Sequence, residues 1–253
     1  MKVLVACEES QAVTKEFRRL GHEAYSCDIV DCSGGHPEWH IKQDVLKILN
    51  PVSYQVLTTK TGDDDGIKTW TGITFHTMDG KLHIIEGKWD MIIAHPPCTH
   101  LAVSGARHFL KKLADGRQRE AIEFFCQFLA ADCDRIIIEN PVGIISGEYV
   151  QKNFPDLCEK YGLPIKPTQI VQPFEFGDPS RKTTCLWLIG VDKLQPTNVV
   201  EPELLEYTCA DGRKVTFSKD YCRTKGERGC ARSKTYPGIA RAFAEQYGGE
   251  SIA

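Results

Sequence analysis

The chain has 253 residues, of which 42% are hydrophobic, and its formal net charge is −3. This length and apolar content suffice to bury a full core, as one large domain or as one domain with an insert. The slightly acidic balance excludes a general electrostatic attraction to nucleic acid, so a polyanionic substrate would require basic residues that are gathered locally.

The first 45 residues predict a strand, a helix and a second strand. Residues 3–6 form an apolar strand, and residues 22–27 form a second strand that ends at Asp28. Three apolar residues recur at helical spacing between them, namely Val13, Phe17 and Leu20. An acidic residue at the end of the second strand holds a ribose in doubly wound folds. The alternative is that Asp28 only caps the turn.

The segment of about residues 51–87 has a different character. Alternating polar and apolar residues predict short strands at 54–57, 69–76 and 81–85, with a tight turn at Asp79-Gly80. We interpret this segment as a β-hairpin insert at the periphery of the α/β unit.

The α/β pattern resumes at Trp89. Apolar runs predict strands at residues 89–93, 135–138, 168–172 and 184–189, and helical periodicity predicts helices at 118–131 and 239–247. The pattern predicts an α/β, doubly wound (Rossmann-like) domain formed by residues 1–190 and 233–253. Residues 191–232 have weak periodicity and many charges, which indicates a small second lobe.

Two of these strands end in residues that suit covalent chemistry. The strand at 89–93 leads into Ala94-His95-Pro96-Pro97-Cys98, and the strand at 135–138 leads into Glu139-Asn140-Pro141. Ligands in open α/β sheets bind at the carboxyl ends of strands, so the thiol and the carboxylic acid are expected at one edge. The two prolines fix the backbone direction and aim Cys98 out of the sheet. A thiol that attacks and an acid that donates form a pair for covalent catalysis.

The cysteines indicate reduced thiols, because eleven of them occur without a regular spacing. Cys27, Cys32, His36 and His40 have spacings that zinc accepts, but they lie in a loop with two glycines and a proline, and we predict no metal. No apolar run approaches the roughly 20 residues that span a bilayer, and the first residues do not resemble a signal peptide. We therefore expect a cytoplasmic protein with no membrane partner. We also expect a monomer.

The order of the motifs resembles that of the cytosine carbon-5 DNA methyltransferases. The Pro-Pro-Cys turn is followed by the strand that ends in Glu139-Asn140, then by Phe176-Gly177-Asp178-Pro179 with basic residues, and then by Tyr236-Pro237-Gly238 before a closing helix. The small size and the wording of the motifs are similar to phage-encoded members. The resemblance implies a methyltransferase fold, S-adenosylmethionine as cofactor, and DNA with a flipped-out cytosine as partner.

The resemblance also implies catalytic roles. Cys98 matches the nucleophile that adds to carbon 6 of the base, and Glu139 matches the acid that contacts ring nitrogen 3. Arg181 and Lys182 approximate the basic residues near the site. Residues 99–109, with Gly105 as a hinge, match a mobile loop that closes behind the flipped base.

The family has a glycine-rich turn after its first strand, whereas this chain has Cys7-Glu8-Glu9-Ser10-Gln11. Ser10 and Gln11 are expected to supply polar contacts instead, and Glu8 or Glu9 to meet the ammonium group of the cofactor. Asp44 matches the residue that holds the adenine amino group. The expected cofactor-binding residues are Cys7, Glu8, Ser10, Gln11, Asp28, Ile29, Asp44, Val45 and Pro96.

Three departures from the family keep other functions open. Thr99 follows the cysteine in place of glutamine, Pro141 replaces a valine, and the recognition region at 191–232 is short, which implies a short target or loose specificity. Basic residues are frequent between 213 and 241, and they form either a binding surface or an ordinary solvated face. The alternatives are the same chemistry on RNA or with another transferred group, and an inactive relative that binds DNA or a protein.

Overall fold

A computed structural model of the chain describes residues 1–58, 66–209, 211–218 and 234–249. The strands in chain order are β1 (Lys2–Ala6), β2 (Glu23–Asp28), β3 (His40–Lys42), β4 (Val52–Thr58), β5 (Gly66–His76), β6 (Leu82–Glu86), β7 (Met91–Ala94), β8 (Ile136–Pro141), β9 (Gln169–Val171), β10 (Thr184–Ile189), β11 (Leu204–Thr208) and β12 (Lys214–Ser218). The helices are α1 (Ala12–Arg19), α2 (Phe109–Ala114), α3 (Arg117–Leu129), α4 (Glu148–Asn153), α5 (Pro155–Tyr161) and α6 (Pro237–Gly248).

The centre of the fold is a seven-stranded sheet with the order β3-β2-β1-β7-β8-β10-β9. Five neighbouring strands of this sheet are parallel, namely β3, β2, β1, β7 and β8. Strand β10 is antiparallel to both β8 and β9. The chain builds outward from β1 to β3 and then returns to the other side of β1 at β7. The prediction of a mostly parallel central sheet is confirmed, and its order is compatible with a Rossmann-like fold whose switch point lies between β1 and β7.

Both faces of the sheet are buried, as the apolar runs predicted. Alternate residues of each strand enter different cores, because successive side chains point to opposite faces. Leu4 and Ile92 belong to the core that contains Phe125 of α3. The other core holds alternate strand residues with Phe17 of α1 and Phe243 of α6. The terminal helix therefore packs on the first helix and closes one face of the sheet.

The insert between β3 and β7 is a three-stranded antiparallel sheet with the order β4-β5-β6. The predicted turn at Asp79-Gly80 joins β5 to β6, and Gly80 has a φ of 85°. The predicted peripheral position is wrong, because Ile73, Phe75 and Ile85 are buried in the same core as Leu4. The insert replaces the helix that usually links two parallel strands.

The predicted second lobe is partly described, and it contains the two-stranded sheet β11-β12. Its first residues belong to the main domain, since Leu194 is buried in the core with α6. The side chain of Gln169 also exchanges two hydrogen bonds with the backbone of Leu194, at 2.7 and 2.8 Å. Residues 219–233, with much of the basic segment, lie outside the described part of the chain.

Within the described ranges, no helix combines the length and the apolar character that crossing a membrane requires.

Candidate active site

A cavity of about 870 Å³ lies at the switch point of the sheet, at the carboxyl ends of β1 and β7. Its walls come from the loops that follow β1, β7 and β8, from the segment that precedes β10, and from Thr235 before α6. This volume lies in the range of sites that enclose a drug-sized ligand. The cavity is therefore located where the doubly wound topology predicts a ligand.

Most of the predicted site residues line this one cavity. They are Cys98, Glu139, Arg181 and Lys182 of the expected catalytic set, and Cys7, Glu8, Ser10, Asp28 and Pro96 of the expected cofactor set. The remaining four expected residues, Gln11, Ile29, Asp44 and Val45, are outside its lining. The thiol and the carboxyl group that were expected at one edge of the sheet thus lie in the same cavity.

The loop that carries Cys98 is fixed by hydrogen bonds at both ends. The backbone N–H of His95 donates to the carbonyl of Ala6 at 2.9 Å, and the Cys98 carbonyl accepts from two later amides at 2.9 and 3.0 Å. The buried side-chain amide of Asn140 donates to the Pro96 carbonyl at 2.7 Å. The two prolines have no amide donor, so apart from the His95 N–H this loop is anchored through its carbonyls.

The segment after Cys98 runs beside the segment after β8. Val103 donates to the carbonyl of Val142, and Ile144 donates to the carbonyl of Leu101, both at 3.0 Å. Gly143 makes this approach possible, because a Cβ there would lie 2.8 Å from the Leu101 carbonyl oxygen. The loops that carry Cys98 and Glu139 are therefore joined through their backbones.

The expected mobile loop is a short 3₁₀ turn, Val103–His108, in this structure. The buried ammonium group of Lys112 in α2 donates to the Thr99 carbonyl and holds the start of the loop. A Cβ on Gly105 would lie 3.1 Å from the same ammonium group. Gly105 therefore serves close packing here, and a hinge role stays a prediction.

Glu139 lies between two basic side chains. Its Oε2 is 3.5 Å from His95 Nδ1, and its Oε1 is 4.0 Å from Lys182 Nζ. Burial opposes the charged carboxylate, but the His95 hydrogen bond and the Lys182 charge outweigh it, so the pKa of Glu139 is lowered from its ordinary value. Glu139 is therefore a carboxylate at neutral pH.

The basic pair before β10 is connected to the second lobe. The hydroxyl of Ser218, at the end of β12, accepts from the backbone N–H of Arg181 at 2.5 Å and donates to its carbonyl at 3.1 Å. Lys182 contacts the ring of Tyr236, with Nζ 5.8 Å from its centroid. The β11-β12 hairpin is thus fastened to the rim of the cavity.

The loop after β1 makes its tight turn without glycine. Cys7 and Gln11 adopt positive φ values of 58° and 56°, a conformation that glycine takes at lower cost. Gln11 is fully buried and holds the 33–40 loop, because its side chain donates to the His36 carbonyl at 2.8 Å and accepts from the His36 amide at 3.0 Å. Gln11 therefore supports the loop from behind the cavity.

Glu8 acts as a cap for α1. Its carboxylate accepts from the amide of Val13 at 2.6 Å and from the hydroxyl and the amide of Thr14 at 2.7 and 3.3 Å. A negative charge at the N-terminus of a helix is stabilised by the free amides and by the helix dipole. Both carboxylate oxygens are thus engaged, and the expected contact with a cofactor ammonium falls to Glu9.

The acidic residues expected near the cofactor occupy different positions. Asp28 lines the cavity at the end of β2, and its Oδ1 accepts from the Val30 amide at 3.2 Å. Asp44 caps the next 3₁₀ turn through the amide of Leu46 at 3.0 Å, and Val45 is buried in the core. Ile29 is 72% exposed.

Burial and the negative charges of Asp28 and Asp44 raise the pKa of the Cys7 thiol. Both carboxylates are therefore close enough to the loop after β1 to influence it electrostatically.

The last motif fits against the Phe176-Gly177-Asp178 motif. Asp178 Oδ2 accepts from the Gly238 amide at 2.8 Å, at the start of α6. A Cβ on Gly238 would lie 1.9 Å from the Phe176 carbonyl oxygen, so only glycine fits there. This contact accounts for the glycine of the last motif, whereas Gly177 adopts a φ of 94° and a Cβ there would lie 2.9 Å from Asn198 Nδ2.

The cysteine and histidine residues with zinc-like spacing are used otherwise. His40 Nε2 donates to the Val30 carbonyl at 2.9 Å, and its Nδ1 is paired with the Ser26 hydroxyl at 2.8 Å. Cys27 donates to the Gln43 carbonyl. In the part of the chain that the structure describes, no group of three or more potential ligands could hold a metal ion.

Two buried polar residues of the site were not assigned roles from the sequence. His95 contacts Glu139, and Asn140 ties the Pro-Pro-Cys loop to β8. Both stand within the quoted motifs, immediately before Pro96 and after Glu139. Their position in the sequence could have indicated a role, because both are polar residues that closely follow an apolar strand.

No family model matches this chain, and no curated protein matches its sequence.

Proposed function

We propose that this protein transfers a methyl group from S-adenosylmethionine to carbon 5 of cytosine in DNA, through a covalent adduct with Cys98. The observation that carries the proposal is the shared cavity of Cys98, Glu139 and Lys182. The same cavity extends to Asp28 and to the loop after β1, where doubly wound folds hold a nucleoside. It therefore has room for a cofactor beside a pyrimidine.

Carbon 5 of cytosine is too weak a nucleophile to accept a methyl group unaided. Addition of the Cys98 thiolate to carbon 6 moves electron density onto carbon 5, while Glu139 delivers a proton to ring nitrogen 3. Once carbon 5 has accepted the methyl group and has lost its hydrogen to a base, the bond from sulfur to carbon 6 breaks and the thiolate is regenerated. Cys98 and Glu139 must therefore reach the same ring from one cavity.

The residues of the cavity fit the cofactor in charge and in shape. S-adenosylmethionine, when bound, supplies an electrophilic methyl group on a positively charged sulfur. Asp28 gives the cavity a carboxylate for ribose hydroxyls, and Glu9 gives it a second one for an ammonium group. Cys7 and Gln11 place the backbone in the left-handed conformation that a glycine-rich turn often adopts.

The substrate base must leave the helical stack to enter this cavity, at a cost of about a few kcal/mol. The Arg181 and Lys182 side chains at the wall of the cavity are suited to a negatively charged backbone or to the base itself. Ser218 connects them to the β11-β12 hairpin, which supports a contact between the small lobe and the flanking nucleic acid.

The proposal is tested with tritiated cofactor and three substrates: duplex DNA, single-stranded DNA and RNA. We expect label at carbon 5 of cytosine with DNA, and no label with Cys98→Ser. Duplex DNA that contains 5-fluorocytosine should trap the protein covalently, because a base cannot remove the fluorine from carbon 5 as it would remove a proton.

Two results would overturn the proposal. The first is parental labelling by Cys98→Ser, which excludes the covalent route. The second is retention of DNA with no label and no trapped complex, which would favour a binding protein. If label were found in RNA alone, the substrate would be RNA and the assignment of DNA would be wrong.

A further inference from the structure

The side chain of His95 has an environment that core packing does not explain. The side chain is 10% exposed, and its Nδ1 is 3.5 Å from Glu139 Oε2. Its Nε2 is buried and has no hydrogen-bond partner among the residues that the structure describes. Buried polar atoms of a folded protein are nearly always paired, so an unpartnered one in a cavity wall points to a ligand or to a proton that moves.

His40 provides the contrast. It is also buried, but each of its ring nitrogens has a partner, at 2.8 Å to Ser26 and at 2.9 Å to Val30. That arrangement fixes a ring for structural purposes. His95 has instead one nitrogen on a carboxylate of the candidate active site and the other unpaired in the described structure.

The backbone holds His95 in this position. Its amide is bonded to Ala6, Pro96 follows it, and Asn140 fixes the Pro96 carbonyl. The register of the sheet pairs Ala94 with Ile138, so the next residues of the two strands, His95 and Glu139, are neighbours. The contact is therefore a consequence of strand pairing and not of a flexible side chain.

We propose that His95 is a positioning residue that holds Glu139 and supplies it with the proton that Glu139 delivers to ring nitrogen 3 of the pyrimidine. This inference rests on the proposed function and adds a residue to it. Histidine suits the role because it is the side chain that ordinarily gains and loses a proton near neutral pH.

The charge state of Glu139 explains why a proton source is needed. Its pKa is lowered despite burial, because His95 and Lys182 favour the carboxylate. Glu139 therefore holds no proton of its own before the base arrives. The nearby Cys185 thiol does not supply one, because burial and the Glu139 charge raise its pKa to about 11.

The step balances with the groups present. The Cys98 thiolate forms a bond to carbon 6, and the electron pair of the ring moves toward carbon 5 and nitrogen 3. Nitrogen 3 takes a proton from Glu139, and the Glu139 carboxylate takes one from the His95 imidazolium, which becomes neutral. When the thiolate leaves, the proton returns along the same route.

The test is the pH dependence of single-turnover methylation by the wild type and by His95→Gln. Because the proposed reaction needs both a thiolate and a proton donor, we expect a bell-shaped profile for the wild type. His95→Gln should keep only the rising limb, with a rate about 100-fold lower near neutral pH. The other charged groups of the site are the same in both proteins, as are Cys7 and Cys185; they are Lys182, Arg181, Asp28, Glu8 and Glu9.

A double-mutant cycle separates proton supply from simple packing. In a Glu139→Gln background the proton route is already absent, so we expect His95→Gln to change the rate by less than about threefold. His36→Gln is the matched control, since His36 also contacts a carboxylate, that of Glu38 at 3.0 Å, but lies outside the cavity lining, and it should keep the bell shape. If His95→Gln does not fold, His95→Asn is measured in its place.

The two proposals fail in different ways. If the wild type labels no nucleic acid, the proposed function fails. If the wild type methylates DNA but His95→Gln retains the falling limb at a near-parental rate, only the role of His95 is overturned. Additive losses in the double-mutant cycle would also overturn it.

Discussion

The loops after β1 and β7 meet at the same switch point but are built in opposite ways. The loop after β1 uses its side chains for structure, since Glu8 caps α1 and Gln11 holds a neighbouring loop. The loop after β7 is anchored through its carbonyls, by Asn140 and by its own amides. Several residues of this loop, Cys98 among them, line the cavity.

This difference indicates what each loop contributes. The first loop offers mainly backbone, in conformations that require positive φ at Cys7 and Gln11. The second loop offers a thiol and an imidazole on a frame of prolines. Under the proposed function, a cofactor would contact the first loop and Asp28, whereas the reacting base would meet the side chains of the second loop.

The largest expected effect concerns the two cysteines of these loops, both of which line the cavity. Cys98→Ala should lower methyl transfer by more than about 1,000-fold, because it removes the proposed nucleophile. Cys7→Ala should lower it by less than about tenfold, because burial and the Asp28 charge raise the pKa of the Cys7 thiol and keep it neutral. Labelling rates at saturating cofactor measure both. Equal losses in the two variants would contradict the assignment of the reactive thiol to the loop after β7 alone.

Next in size is the cap formed by Glu8. Glu8→Ala should reduce the free energy of unfolding by about 2 kcal/mol, because two amides of α1 and the Thr14 hydroxyl lose their acceptor. Glu9→Ala is the control, and it should change stability by less than about 0.5 kcal/mol. Urea denaturation followed by circular dichroism gives both values. A Glu8 variant as stable as the wild type would exclude the capping role.

A smaller loss is expected at the anchor of the second loop. Asn140→Ala leaves the buried Pro96 carbonyl without its donor, and we expect a loss of about 1–2 kcal/mol. Asn153, whose amide donates to the Tyr149 carbonyl in α4, gives the comparison, with a loss below about 1 kcal/mol on change to alanine. Thermal unfolding of the two variants distinguishes these outcomes, and equal values would count against the Asn140 anchor.

The smallest expected effect tests the conformation of Cys7. Cys7→Gly should change the stability by less than about 1 kcal/mol in either direction, because glycine relieves the positive φ while a buried thiol is lost. Cys27→Gly, at a buried position in β2 with ordinary strand geometry, should lose more than about 1 kcal/mol. A loss at Cys7 as large as that at Cys27 would show that the turn is not strained.

Local periodicity predicted the elements with strong apolar patterns. The strands β1, β2 and β10 and the helices α1, α3 and α6 lie within a few residues of their predicted bounds. The short helices α2, α4 and α5, of six or seven residues each, were not predicted. So short a segment carries less than two turns of periodicity, and its helical state depends on tertiary packing.

The insert illustrates a second limit. Its strands were predicted from alternation, but alternation does not say what the apolar side will cover. The structure packs Ile73, Phe75 and Ile85 on the central sheet, where they complete a core. The role of Glu8 was missed for a similar reason, since its partners depend on where α1 begins.

The sequence by itself determined which residues end the apolar strands, and therefore that a thiol and a carboxyl group would stand at one edge of a parallel sheet. Only the tertiary structure decided their neighbours. Pairing of Ala94 with Ile138 brings His95 beside Glu139, and the antiparallel pairing of Thr184 with Pro141 brings Lys182 close to the same carboxylate. Register is set by the contacts of whole strands, and those contacts join residues too distant in the chain for any local pattern to encode.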